Sequence, residues 1–541
     1  MGLATYIGVD STTITEYYFP AEFIELPDGN FISPSYYYIR ETAAEYYSEA
    51  AAAMMFSENG DLIAQNNFFR PGYCTSFSEQ FVFKKDNSFY FLTTYSPEHT
   101  INSFNYFKNY DNPPTDAKLA LFKLDSQLNV EETYEHSWPI DTFEARNRPE
   151  WQLLPNGYSG NIFLFSAFED EGNIVGAYWK SESFKSPGQG KDTLFMFRMN
   201  FDGEILLRKD IDYASPSKSD VIKRGAQAYS NRRNQFIVTD THYIFYSGGK
   251  GNYDGYDIQG RAVYYDKDFN FIRERYLRGP DCLINDKLYN ISVKRSNHNT
   301  TYLTTQKRNP KNPQHDEDCR LYEIDDDINA ASEFLEVVNH TDRGTEEWDM
   351  SSYRAGVDLN DDNSIYYTYT LNQGYFTNLD SWIVIERLDD NMDIISTYYY
   401  GLNNRFLDRV ITLYSTDDGG VIIIHRADDL YSDNTYGYIT KFPASAFVNI
   451  EEAHAHGLKV AVAYPNPGGD VMNIRTGLRN AVLTVYDMQG RKVHQQIITD
   501  EVTSIDASKW QNGTYVWELR AGNGNGSGNE NGILESGKWV K

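Results

Sequence analysis

The feature that most constrains this chain is a hairpin signature that keeps returning. In residues 121–130 apolar alternation runs up to Asp125, breaks in a polar turn, and resumes after Asn129. Near copies surround Asn200 and Gly203, Asp266, Asp325 and Asp389, with a looser copy at 54–62 and a degenerate one at 438–442. Asn, Asp and Gly tolerate the positive φ of tight hairpins, so each copy reads as two antiparallel strands. A second unit lies upstream of each hairpin, a polar turn followed by a strand rich in Ser or Thr. It appears seven times, at 26–33, 85–93, 155–166, 239–247, 297–304, 360–368 and 416–424.

Each module therefore reads strand A, short turn, strand B, long loop, strand C, short turn, strand D. Repetition at roughly 50–70 residues predicts an all-β fold, a seven-bladed β-propeller, because radial packing buries both faces of every blade. The blades are expected at 21–70, 78–138, 148–211, 226–277, 287–338, 353–400 and 408–450, so that the propeller spans 21–450. Residues 1–20 form an N-terminal strand or arm. Residues 6–18 resemble a third-and-fourth-strand hairpin that either closes the ring on the last blade, whose own hairpin is degraded at Pro443, or lies on the rim. Residues 451–457 read as a linker, and 458–541 as a new, smaller β domain with its own alternation. The glycine-rich run 522–532 is too polar to pack.

Composition narrows the function. A formal net charge of −28 argues against nucleic-acid binding and against anionic membranes, both of which need surplus Lys and Arg. The 43 Tyr and 31 Phe suit half-buried pleats. Cys74, Cys282 and Cys319 are odd in number and far apart, so no disulfide framework or zinc spacing can be read. No run is long and apolar enough for a transmembrane helix. The opening residues lack the basic start and apolar core of a signal peptide, so a leader is expected to have been removed or not included.

The C-terminal segment carries four ordered blocks: Tyr464 with Pro465, Asn466 and Pro467; residues 483–493 with Asp487, Gly490 and Arg491; residues 505–519 with Gly513 and Tyr515; and 537–541 ending on Lys541. In these it resembles the type A C-terminal sorting domain of the Bacteroidota type IX (Por) secretion system. The resemblance implies that 458–541 is a small β-sandwich (Ig-like) domain recognised by the outer-membrane translocon and often removed by a sorting protease, its cargo being secreted or anchored at the cell surface. It covers roughly the last 80 residues, and the glycine-rich insertion before Ile533 departs from the pattern without touching the blocks.

The propeller's chemistry is expected on the face where strands B–C and D–A connect. Its loops bring aromatic residues, among them Tyr36 to Tyr38, Tyr106, Trp179, Tyr256 and Tyr375, with long connections assigned at 99–116, 248–256, 307–318 and 428–431. The inter-blade linkers add Arg70, Arg146, Arg148, Arg224, Arg278, Arg343, Arg405 and Arg409. Guanidinium forks at one mouth suit an acidic glycan or a peptide carboxylate. Equally, each arginine could tie neighbouring blades through carbonyls or through Glu150, Glu346 and Glu347.

Residues 358–363 have the oxygen density of a calcium loop but lack an EF-hand glutamate and coincide with a repeated turn, so no cofactor is assigned. The ten histidines show no zinc motif. No nucleophile motif stands out, and a carboxylate pair of a glycosidase or lyase cannot be read from spacing. Three functions fit: a secreted glycan- or peptide-binding propeller, a polysaccharide lyase or hydrolase on the same scaffold, and an adhesion or matrix component.

Overall fold

A computed structural model describes residues 3–7, 17–18, 23–40, 47–57, 61–70, 73–75, 80–97, 116–139, 141–142, 158–159, 161–181, 193–211, 236–253, 256–278, 288–295, 300–308, 317–325, 330–332, 334–343, 350–351, 356–360, 363–371, 382–400, 406–429, 435–447, 461–464, 468–476, 481–499, 502–520 and 533–541. The chain is all-β and propeller-like, and it divides into two compact units. One holds Met1–Met392 and Tyr399–Phe442; the other holds Asp393–Tyr398 and Pro443–Lys541.

In the first unit the repeat becomes a series of antiparallel sheets. The first contains Phe31–Arg40, Tyr47–Phe56 and Leu62–Phe68; the second contains Ser88–Pro97, Asp116–Leu124 and Val130–Pro139, with Phe81–Lys85 and Tyr73–Cys74 on one edge. The third runs Asn161–Asp170, Asn173–Ser181, Thr193–Met199 and Ile205–Ile211. The next two runs share one eight-stranded sheet, because Phe271–Arg278 pairs in parallel with Phe334–Arg343, setting Tyr276 opposite Phe334 and Arg278 opposite Glu336. Separate blades were expected there. The Arg275 guanidinium, donating to the Phe334 carbonyl at 2.8 Å, draws the two outer strands together. Ile365–Leu371 and Trp382–Leu388 follow, and then the last sheet of Phe406–Ser415, Val421–Asp429 and Thr435–Phe442.

Successive sheets share cores. Phe91 and Phe122 of the second pack with Ile32, Ala53 and Phe68 of the first, and Leu119 and Leu121 with Leu164 and Phe197 of the third. Phe165 and Val175 meet Phe245 and Val263, Tyr264 meets Tyr322 and Leu335, and Tyr302 and Leu321 meet Tyr367 and Val384. The series returns on itself, since Ile422, Ile424 and Ile439 of the last sheet pack with Phe31, Met54 and Phe56 of the first.

The N-terminal strands are divided between those two sheets. Leu3–Ile7 pairs with Thr435–Phe442, and Tyr17–Tyr18 pairs with Tyr36 and Tyr37. The hairpin expected at 6–18 is therefore two strands in different sheets. Several expected loops are strands as well. Tyr36 to Tyr38 lie in Phe31–Arg40, Trp179 in Asn173–Ser181, and Asp428 in Val421–Asp429. The glycine-rich stretch from 248 is a long hairpin, His242–Tyr253 against Tyr256–Asp266, whose register shifts between Gly248 and Gly251. Glycine inside a strand marks a bulge, and these glycines mark one rather than a loop.

The predicted turns share one construction. Asp125 Oδ1 accepts the backbone N–H groups of Gln127 (2.8 Å) and Asn129 (2.8 Å), and Asp266 and Asp487 repeat the pattern. The fourth residue takes positive φ, whether glycine, as Gly203 and Gly490 (both 77°), or a large apolar residue, as Leu128 (64°), Phe269 (60°) and Met392 (64°).

The C-terminal unit encloses one core between two antiparallel sheets. Ala461–Tyr464, Val471–Thr476 and Val502–Asp506 form one; Lys492–Ile497, Val482–Asp487, Thr514–Arg520 and Ile533–Val540 form the other. Met472, Ile474, Leu483, Val485, Trp517 and Trp539 fill the space between.

Candidate functional site

In the repeated sheets of the first unit the short A–B and C–D turns lie at one end and the B–C connections at the other, one of the latter being itself a tight turn between Tyr253 and Tyr256. On that open end the described residues form one charged station. Arg70, just past Leu62–Phe68, pairs with Glu135 of Val130–Pro139, and its guanidinium lies over the rings of Tyr95 at 4.8 Å and Tyr73 at 5.6 Å. Tyr73 donates its phenol proton to Asp116 at 2.6 Å. Lys118 reaches Asp116 (2.9 Å), Ser137 (2.9 Å) and Glu135 (3.6 Å). The pleat explains the grouping: Asp116 and Lys118, like Glu135 and Ser137, are two apart and share a face, and Lys118 lies opposite both Tyr95 and Ser137.

Burial alone would raise the Asp116 and Glu135 carboxyls. The Tyr73 and Lys118 hydrogen bonds on the first, and the Arg70 contact on the second, outweigh it, so both are held below the ordinary carboxylate range. Burial, and then the hydrogen bond to Asp116, push the Tyr73 phenol up. Two cations thus face two carboxylates, and the station is charge-balanced with a tyrosine face.

Among the other candidates, Arg409 lies half-buried in Phe406–Ser415, opposite Arg426. Arg278 and Arg343 end the strands Phe271–Arg278 and Phe334–Arg343, Trp179 lies opposite Leu194, and Tyr256 opposite Tyr253. The side chains of these four lie outside the described residues, as do Arg146, Arg148, Arg224, Arg405, Tyr106 and Tyr375 entirely. Sequence reasoning missed Tyr73, Tyr95, Asp116, Lys118 and Glu135. Counting outward from the turn pair Leu124–Val130 would set Lys118 opposite His136; the register shift between Lys123 and Leu124 sets it opposite Ser137, so the grouping was not legible from the turn alone.

Asp358, in the calcium-like stretch, is buried. One of its oxygens accepts from Lys294 Nζ at 2.6 Å, the other from Ser415 N–H at 2.8 Å and Ser415 hydroxyl at 3.0 Å. Among the described residues no group of three or more His, Cys, Asp or Glu is arranged to hold a metal.

At the C-terminal end the sequence blocks have structural roles. Asp487 caps its turn and pairs with Arg491 Nε at 2.7 Å, and Gly490 supplies the positive φ. Tyr515, buried, donates to the Gln511 carbonyl at 2.6 Å and packs against Trp510 and Trp539. Lys541 pairs through its backbone with Gly513, while its ammonium donates to the carbonyls of Ala507 (2.7 Å), Trp510 (3.0 Å) and Ser508 (3.2 Å) and lies 3.3 Å from Asp470. Pro465, Asn466 and Pro467 lie outside the described residues.

Residues 462–528 match the family model described as the secretion system C-terminal sorting domain. The chain carries a type IX sorting domain at this end. That domain implies recognition by the type IX machinery and a destination outside the cell or on the outer-membrane surface. The match lies wholly within the C-terminal segment and does not extend into the repeat body. No curated protein matches the chain. Among solved structures, Drosophila Semaphorin 2a aligns at 8% identity and a TM-score of 0.43, covering 96% of this chain and 95% of that one. A protein of unknown function from Dyadobacter fermentans aligns at 10% identity and a TM-score of 0.34, covering 69% and 100%. A subtype N10 neuraminidase-like protein of A/little yellow-shouldered bat aligns at 6% and 0.32, covering 81% and 99%. Neither ligand nor activity transfers across likenesses this distant. Among the described residues no helix is long and apolar enough to cross a membrane.

Proposed function

We propose that this type IX cargo is a binding protein whose repeat body, a seven-bladed propeller, takes a glycan or peptide on its open end. The observation that supports this reading most directly is the asymmetry of the connections. Turns at Asp125, Asn200, Asp266 and Asp389 are tight and hydrogen-bonded on themselves, whereas residues 98–115, 182–192, 309–316 and 372–381 link strands at the opposite end. Variable connections on a rigid scaffold are where recognition is built. Arg146, Arg148, Arg224, Arg278, Arg343, Arg405 and Arg409 would supply forks for carboxylates, Arg70 being already paired with Glu135, and Tyr106, Trp179, Tyr256 and Tyr375 faces for sugar rings. The two-sheet core of the C-terminal unit is what an Ig-like sorting domain requires.

The test is a glycan-array and product-release screen on the full chain, using neutral and acidic polysaccharides at two salt concentrations. Binding without released products supports the reading. Released oligosaccharides would replace it with the hydrolase or lyase, and silence on every glycan and peptide would leave an adhesion role.

A further inference from the structure

The charged station of the second sheet lies where the chain leaves Pro97 and returns at Asp116, and its own contacts leave bonding capacity over. Arg70 commits one edge of its fork to Glu135, and its guanidinium is fixed over the buried Tyr95 ring, whose hydroxyl donates to the Phe68 carbonyl at 2.8 Å. Among the described residues its other N–H groups meet no acceptor. Asp116 accepts from Tyr73 on one oxygen (2.6 Å) and from Lys118 on the other (2.9 Å), and each carboxylate oxygen keeps a second lone pair. The four charged side chains reach solvent, Arg70 and Asp116 at 28% exposure, Glu135 at 25% and Lys118 at 17%.

The signs of this row decide what it can take. Cation and carboxylate alternate in the order Arg70, Glu135, Lys118, Asp116, with Lys118 2.9 Å from Asp116 and 3.6 Å from Glu135. A uronate or sulfate brought to either cation stands beside a carboxylate, and an amine brought to either carboxylate stands beside a cation, so repulsion offsets the attraction in both cases. A hydroxyl is donor and acceptor at once. Two adjacent hydroxyls can therefore donate to a carboxylate while accepting from the neighbouring ammonium or guanidinium. Both carboxyls are held below the ordinary range, so at neutral pH they act as acceptors only, and such charge-assisted bonds are about twice as strong as neutral ones. The groups are also preset. Tyr73 holds Asp116, Ser137 holds Lys118 and the Tyr95 ring holds Arg70, so little side-chain freedom is lost on binding. The sequence of the connection between Pro97 and Asp116 adds Phe104, Tyr106, Phe107 and Tyr110, flat faces of the kind on which sugar rings stack.

We infer that the row Arg70, Glu135, Lys118 and Asp116 is a subsite for an uncharged sugar that carries adjacent hydroxyls. The inference rests on the binding reading above and names, for this part of the open end, a neutral glycan in place of an acidic one.

The test is binding of the full chain to mannan and dextran as neutral glycans, and to alginate and polygalacturonate as acidic ones, at low and high salt. Mannan and dextran are each supplied intact and after periodate cleavage of their adjacent hydroxyl pairs, followed by borohydride reduction. Support is binding to an intact neutral glycan that changes less than about twofold with salt and is lost on periodate treatment. Asp116→Asn and Lys118→Met are each expected to weaken it at least about tenfold. A purely structural row would instead lower Tm in those variants and leave affinity alone, and the periodate comparison puts the same question to the parent chain if a variant does not fold. Neutral-glycan binding indifferent to periodate or to a folded variant, or binding confined to alginate, polygalacturonate or peptides, would overturn the subsite while the binding reading stands. Silence on all of these glycans would also overturn it, and silence on peptides as well would take the binding reading with it.

Discussion

Leu128, Phe269 and Met392 each sit at positive φ yet are buried at 1%, 3% and 4% exposure. An L-residue there costs about 1–2 kcal/mol, and burying a large apolar side chain returns about 1.5–3 kcal/mol, so the turn tolerates a residue that backbone preference alone would exclude. This gives an inverted order of substitutions. Leu128→Ala keeps the backbone cost and loses the packing, for an expected loss of about 2–5 kcal/mol. Leu128→Gly relieves the backbone and is expected to be no less stable than Leu128→Ala, the reverse of the usual ranking; urea unfolding of the two variants decides it. Gly203 is the complementary case. A Cβ there would lie 2.3 Å from Tyr134 Cβ, whereas one at Gly172, with a similar φ of 73°, would meet nothing within 4 Å. Gly172→Ala is expected to cost about 1 kcal/mol, and Gly203→Ala that amount plus about 1–3 kcal/mol of overpacking. Equal losses in the two would mean that Tyr134 yields.

At the scale of the strand, outer strands reach the turn of the next sheet in one sense. Asn66 donates to the Leu128 carbonyl at 2.6 Å, His136 to that of Gly203 at 2.6 Å, and Lys209 to the Asn270 side chain at 2.5 Å. The repeat predicted the strands that make these contacts, because Asx turns and alternation are local signals. The parallel joining of Phe271–Arg278 to Phe334–Arg343 was not legible, since nothing near residue 276 marks a partner some 58 positions away at Phe334. The glycines at 248 and 251 misled for a related reason, because a bulge and a loop have the same composition. The charged station was half legible, with Arg70 read from the linker and its partners hidden until register placed them. It carries a pH prediction. Asp116 and Glu135 have depressed pKa values, so the stability they contribute is present above the ordinary carboxylate range and is lost as pH falls through the depressed values. Glu135→Gln is therefore expected to be less stable than the parent at neutral pH, the gap closing as pH drops; a gap constant with pH would remove the Arg70 pair as its cause. The exposure of the pair keeps the effect small.

At the scale of the molecule, the division of the chain into two compact units bears on how the protein unfolds. Among the described residues the sorting domain has a hydrophobic cluster of its own, and a chain of two compact units is not expected to unfold in a single two-state transition. Among the described residues Trp539 is the largest fully buried side chain; it packs against Tyr515 and Trp510, and a Cβ at Gly468 would lie 2.3 Å from its ring. Trp539→Ala should cost about 3–5 kcal/mol, a large share of the stability of a domain this small. Calorimetry of the full chain is expected to show the C-terminal transition shifted down in Trp539→Ala with the other unmoved, and the converse in Leu128→Ala. Because recognition by the type IX machinery is implied by the sorting domain alone, export in a type IX host should fail in Trp539→Ala and persist in Leu128→Ala wherever the repeat body still folds. If both variants shifted both transitions together, the two cores would be one cooperative unit, and loss of export could no longer be assigned to the sorting domain.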